Sequence, residues 1–275
     1  MTKVQPANNL ENTMAFLRCD IKSALLGKAV GMNVIIPQRN GFVRGTFSPT
    51  DDTKFKTLYL LHGLSDDHTA WCRYTSIERY ANEYNIAVVM PDGGRSFYTD
   101  AKNGFPYWSF ISEELPFIVE GMFPLSRKRE DRFAAGLSMG GYGALKLGLR
   151  CPERFAAVAG LSPVVDIRRR FTAPKSAFRL QEMISIFGSP EAAAADGNDL
   201  LTLAKEAKAS GTRLPGILTI CGSDDFMIQD NREFNQAMDA LQLDNYYHFE
   251  YPGNHNWKFW DEHIEQVLKF FFENK

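Results

Sequence analysis

Short, unbroken apolar runs recur along the chain, separated by stretches of helical spacing. Thr57 to Leu61 (TLYLL), Ile86 to Met90 (IAVVM), Phe155 to Leu161 (FAAVAGL) and Gly216 to Cys221 (GILTIC) are bounded by turn residues. They predict strands buried on both faces. Helical spacing follows over Trp71–Tyr84, Trp108–Met122, Asn231–Leu241 and Trp257–Phe272. Pro116 should sit near the start of its helix or kink it. Tyr246–Tyr251 (YYHFEY) adds a later strand, and Phe16–Cys19 with Gly31–Pro37 predicts an antiparallel pair at a sheet edge. Alternation of buried strand and helix is the mark of a doubly wound, mainly parallel sheet. Residues 1–15 read as a flexible polar tail, Asn40–Asp52 as a loop and 16–275 as one domain. The segment from about 166 to 210 breaks the rhythm and is expected to form a small helical cap over the site.

One stretch organises the rest. Asp131–Arg150 reads DRFAAGLSMGGYGALKLGLR: a strand, a sharp turn and a helix. Gly136 and Gly140 flank Ser138 at two residues on either side, as a strained elbow requires if its serine is to stand above the strand end. A serine needs a base and the base needs an orienting carboxylate. In a sheet of this class they follow in the order serine, acid, histidine, at the ends of later strands. Asp225 follows GILTIC and His255 follows YYHFEY. Asp224 is adjacent to Asp225 and only one of the two can face the histidine; Asp225 is favoured, with Asp224 a cap or a solvated group. Among the five histidines, His248 lies in a strand, His68 and His263 read as surface residues, and His62 as a brace for its loop. Oxyanion donors are expected from the backbone N–H groups of Met139, after the nucleophile, and Leu64, after TLYLL. Trp71, Tyr98, Tyr107 and Trp108 stand on loops near this face, either lining an acyl or aromatic pocket or packing those loops.

Composition narrows the classes. The 275 residues are 44% hydrophobic, enough for a large core, and a net charge of -2 with pI near 6.2 makes no electrostatic case for nucleic acid or an anionic membrane. The runs Arg127–Arg129 and Arg168–Arg170 read as solvated faces. Without an apolar signal core or a membrane-length run, the expected location is the cytoplasm. Cys19, Cys72, Cys151 and Cys221 are scattered and have no metal-site or disulfide spacing.

LLHGLSDDHTAW, GLSMGGYGAL, CGSDDF and YPGNHNWKFWD together resemble the esterase D group of α/β-hydrolases, most closely its bacterial tributyrin esterase branch, over residues 16–273. The resemblance implies an α/β-hydrolase fold, a Ser138, Asp225, His255 triad and an oxyanion hole at Leu64 and Met139. It further implies a serine carboxylesterase for short-chain acyl esters of tributyrin, acetyl or hydroxycinnamoyl type, frequent oligomers, and no metal or organic cofactor. Asn256 departs from the branch, where an acidic residue is common. Two rivals follow: an S-formylglutathione hydrolase-type thioesterase, whose substrate would want positive charge from Arg95, Lys102 or Arg168 at the pocket mouth, and a catalytically silent binding module.

Overall fold

Thr57–Leu61 and Ala87–Pro91 are buried at every position in the computed structural model, which describes residues 13–38 and 52–273. The expected tail falls mostly outside the described residues, as does nearly all of the loop at 40–52, and strand already begins at Met14. In chain order, β1 (Met14–Lys22) and β2 (Ala29–Pro37) pair antiparallel, and β3 (Thr57–Leu61) leads into α1 (Ala70–Tyr74) and α2 (Ile77–Tyr84). Next come β4 (Ala87–Pro91), the short α3 (Tyr107–Ser109) and α4 (Leu115–Met122), then β5 (Arg132–Leu137), α5 (Met139–Arg150) and β6 (Ala157–Leu161). Four helices follow: α6 (Ile167–Thr172), α7 (Ala177–Phe187), α8 (Pro190–Ala195) and α9 (Leu200–Ser210). The chain closes through β7 (Gly216–Gly222), α10 (Ile228–Asp239), β8 (Tyr246–Tyr251) and α11 (Trp257–Phe272).

The eight-stranded sheet runs β1-β2-β4-β3-β5-β6-β7-β8, parallel from β4 to β8. Helices cover both faces, one core gathering α4, α5, α9 and α10, the other α2 and α11. Because β4 lies on one side of β3 and β5 on the other, the chain changes direction there. Loops leaving the carboxyl ends of β3 and β5 diverge, and the gap between them is where a doubly wound sheet presents a crevice.

Two expected helices are interrupted, one by a contact from a distant segment and one by a proline of its own. Trp71–Tyr84 breaks at Thr75, which is extended, because Asp261 on α11 accepts hydrogen bonds from the Ser76 N–H (3.0 Å) and Tyr80 hydroxyl (3.1 Å). That carboxylate satisfies an amide at the start of α2 which continuous helix would otherwise occupy. Trp108–Met122 passes through a π-helical turn at Phe110–Glu114, and α4 restarts with Pro116 in its first turn. The wide turn removes the clash a proline ring makes with a preceding carbonyl.

Ser138, between β5 and α5, has φ 53° and ψ −114°. A Cβ on Gly140 would lie 2.3 Å from the Leu61 carbonyl oxygen, and one on Gly136 2.4 Å from the Gly140 carbonyl carbon. Backbone touches backbone at both points and nothing flexible can yield. Gly140→Ala should therefore cost about 3 kcal/mol, read as a fall in the thermal midpoint; an unchanged midpoint would show that the turn has slack.

Candidate active site

Three loops at the carboxyl edge bring the chemistry together. Ser138 follows β5, Asp225 follows β7 and His255 follows β8. The last two loops are tied by backbone hydrogen bonds from Ser223 N–H to Tyr251 (2.8 Å) and Asp224 N–H to Gly253 (2.9 Å). His255 Nδ1 is 2.8 Å from Asp225 Oδ2, and its Nε2 is 3.2 Å from Ser138 Oγ. A carboxylate only accepts, so Nδ1 carries the proton and the Nε2 lone pair faces the serine hydroxyl. This geometry can take the hydroxyl proton as the oxygen attacks an electrophile.

Asp225 is 2% exposed. Burial pushes its carboxyl upward, but hydrogen bonds from His255, the Met227 amide and Ser162, with the positive charge His255 can carry, outweigh burial and hold it below the ordinary range. Asp224 is exposed and, among the described residues, its side chain meets only the Ser223 hydroxyl, at 3.4 Å. Phe226 and Trp260 pack on the His255 ring, with centroids 4.6 and 4.9 Å away. Asn256 caps α11, its Oδ1 accepting from the Phe259 N–H at 3.1 Å, a task an acidic residue performs equally well.

Met139 N–H is the first amide of α5, and a helix leaves its first amides without internal partners. Leu64 stands beside Ser138 in the wall of a cavity of about 470 Å³. The carbonyls around it are engaged one after another: Leu61 by Trp71 Nε1 (3.0 Å), His62 by the Tyr98 hydroxyl (3.0 Å), Gly63 by His62 Nδ1 (2.7 Å) and Leu64 by Arg95 Nη1 (3.1 Å). His62 Nε2 meets the Gly93 N–H at 2.9 Å, so both ring nitrogens brace the loop as expected.

The four aromatic residues singled out for a pocket do not line this cavity. Trp71 and Tyr98 are spent on the carbonyls just named. Tyr107 packs against Phe105 and Phe110, and Trp108 lies under the Lys146 ammonium and Arg150 guanidinium, at 4.8 and 4.3 Å from its ring centre. Lys146, fully buried on α5, donates to Tyr98 O, Thr99 Oγ1 and Asn198 Oδ1, and burial lowers its pKa well below the usual value. The apolar walls come instead from Phe97, Val164, Met183, Met227, Trp257 and Trp260.

The expected cap contributes Arg170, Lys175, Arg179 and Glu182 to the same cavity, none of which sequence pattern singled out. No periodicity marks them, because what selects them is how α6 and α7 lie over the strand ends. Lys102 and Arg168 are paired elsewhere, with Asp196 and Asp199. The Arg168–Arg170 run is not simply solvated: Arg169 and Arg170 both bond Asp230 of α10. His263 is buried on α11, donating from Nδ1 to the Phe259 carbonyl at 2.8 Å, rather than lying at the surface. Among the described residues no group of three or more His, Cys, Asp or Glu could hold a metal ion, and no helix is long and apolar enough to cross a membrane.

The Esterase family model matches residues 23–271. An acetyl esterase from Caldicellulosiruptor saccharolyticus is 30% identical over 262 residues, covering 94% of this chain and 98% of its own. Among solved structures, the fluorophosphonate-binding serine hydrolase FphF of Staphylococcus aureus superposes with a TM-score of 0.84 at 34% identity, covering 94% and 98% of the two chains. The S-formylglutathione hydrolase FrmB of Staphylococcus aureus gives 0.82, also at 34% identity, over 94% and 99%. The fold is accordingly that of the α/β-hydrolases.

The lowered Asp225 pKa has a consequence for stability. A carboxylate held below its unfolded value stabilises the fold above the ordinary range near about 4, and that contribution is lost as pH falls through the folded value. The stability gap between wild type and Asp225→Asn, from denaturant melts between about pH 7 and about pH 3, should shrink toward acid. A gap that widens toward acid would reverse the sign assigned to Asp225.

Proposed function

This chain belongs to the esterase family and is a serine carboxylic ester hydrolase for small-molecule esters; from that premise we propose that Ser138, His255 and Asp225 carry the reaction. The observation that supports it most directly is the unbroken relay from Asp225 through His255 to Ser138 on the floor of the cavity. Ser138 attacks the ester carbonyl while His255 Nε2 accepts its proton. The tetrahedral oxyanion is held by the N–H groups of Leu64 and Met139, each worth on the order of 3 kcal/mol in the transition state. His255 then protonates the departing alcohol, and water activated by the same imidazole releases the acid. Asp225 keeps the imidazole in the right tautomer and stabilises its cation.

Short acyl groups are the preferred acyl portion in this reading, acetyl, butyryl and hydroxycinnamoyl esters among them. Residues 16–275 act as one hydrolase domain with 166–210 as its cap, in a cytoplasmic protein that forms homo-oligomers. A second reading, thioester hydrolysis of the S-formylglutathione type, is favoured by Lys175. Its ammonium lies 3.6 Å from the Phe226 ring centre, lines the cavity and, among the described residues, has no carboxylate partner. An anionic leaving group would supply one.

Turnover of p-nitrophenyl esters from acetate to decanoate, beside methyl ferulate and S-formylglutathione, tests both. Activity peaking at short chains supports the esterase; a thioester preferred by tenfold or more, about 1.4 kcal/mol of transition-state discrimination, moves the assignment. Ser138→Ala and His255→Ala should each abolish turnover. Asp225→Asn should lower kcat on the order of 10³–10⁴-fold, and Asp224→Asn by less than about twofold. Comparable losses at the two aspartates would overturn the choice of acid.

A further inference from the structure

Arg95 touches both the oxyanion loop and the cap. Its Nη1 donates to the Leu64 carbonyl at 3.1 Å, while Nε and Nη2 bond the two carboxylate oxygens of Glu182 on α7 at 2.6 and 2.9 Å. Glu182 is nearly buried, its side chain 12% exposed, and takes a further hydrogen bond from Arg179 Nη1 at 2.9 Å. A guanidinium is planar with five donors fixed in one frame, so an edge locked to a carboxylate aims the remaining donor without further freedom. Leu64 stands between two peptide planes. The plane that contains its N–H is held through the Gly63 carbonyl by His62, and the next plane is held through the Leu64 carbonyl by Arg95. The first brace belongs to the sheet side of the site; the second reaches into the cap.

We propose that Arg95 is a positioning residue for the oxyanion hole, and that Glu182, by clamping Arg95, makes the aim of the Leu64 N–H depend on the seating of α7. The relay rests on the reading of Leu64 as an oxyanion donor. Glu182 and Arg179 line the same cavity as Ser138, so the helix that meets the ester is also the helix that sets the donor. Donor placement acts on the tetrahedral species more than on the bound ester, because the oxyanion moves toward the donors as it forms. Loss of the relay therefore falls on kcat.

The test is steady-state hydrolysis of p-nitrophenyl acetate, with inhibition by butylboronic acid as a tetrahedral mimic, for Arg95→Ala, Arg95→Lys, Glu182→Gln, the Arg95→Ala and Glu182→Gln double variant, and Leu64→Pro. Arg95→Ala should lower kcat by about tenfold, a fraction of the 10²–10³ lost when a whole donor is removed. KM should stay within about twofold, and boronate affinity should weaken by the same factor as kcat. Glu182→Gln should shift both in the same direction by less, and Arg95→Lys should recover part of the loss. The double variant should be no worse than Arg95→Ala, because residues acting in series do not add. A rise confined to KM with boronate affinity intact would make Arg95 a substrate contact and overturn the relay, as would losses that multiply in the double variant. Leu64→Pro deletes the donor itself: full turnover there removes Leu64 from the oxyanion hole, whereas impaired turnover with an unaffected Arg95→Ala defeats the relay alone.

Discussion

Everything at the carboxyl edge of this sheet depends on one backbone conformation, the left-handed φ of 53° at Ser138. An L-residue adopts it at a cost of order 1–3 kcal/mol, so the surroundings must overdetermine it. They do so by backbone. Ser138 N–H bonds the Leu161 carbonyl at 2.9 Å, Val164 N–H bonds the Ser138 carbonyl at 3.1 Å, and Gly140 lies against the carbonyl of Leu61. Strand β5 is thereby locked to β3 on one side and β6 on the other at the point where the chain turns. The hydroxyl is left where neither sheet nor helix can cover it.

Electrostatics around the serine follow from burial. Asp225 sits at a depth where an unpaired charge would be very costly, and its hydrogen bonds reverse that penalty. The aromatic rings of Phe226 and Trp260 pack on His255 from two directions and limit the freedom of its ring. The arginines in the cavity wall are each ion-paired in place, Arg170 with Asp230 and Arg179 with Glu182, which Arg95 shares from outside the cavity. Lys175 is different, offering N–H groups that the Phe226 ring does not engage.

The helices α6 to α9 and the loop after β3 are parts of one assembly. Lys146 joins the elbow helix to Thr99 and to Asn198 ahead of α9; Arg95 joins Leu64 to α7. Tyr98, held with φ of 47°, spends its hydroxyl on the His62 carbonyl and its own carbonyl on Lys146. Aromatic and basic residues that look available for substrate are in this way committed to positioning backbone.

Local pattern was enough for the strands, the elbow and the order of Ser138, Asp225 and His255. An unbroken apolar run, a pair of glycines about a serine and a carboxylate just past a strand are constraints satisfied within a few residues. For Asp224 and Asp225, pattern said only that one of the two could face His255, since neighbours in a turn point apart; the fold buries Asp225 and exposes Asp224. What pattern could not supply lay in contacts between distant segments. Asp261 ends a helix 185 residues earlier in the chain. For Trp71 and Tyr98, whose loop positions left pocket lining and loop packing both open, the fold turns them inward to carbonyls of the segment after β3. Arg170, Lys175, Arg179 and Glu182 share a cavity with Ser138 only because α6 and α7 fold back across the strand ends. Sequence determined which residues must stand at the sheet edge, since backbone sterics and strand burial are local; tertiary structure alone decided which side chains face the cavity, since that depends on where α6 and α7 come to rest.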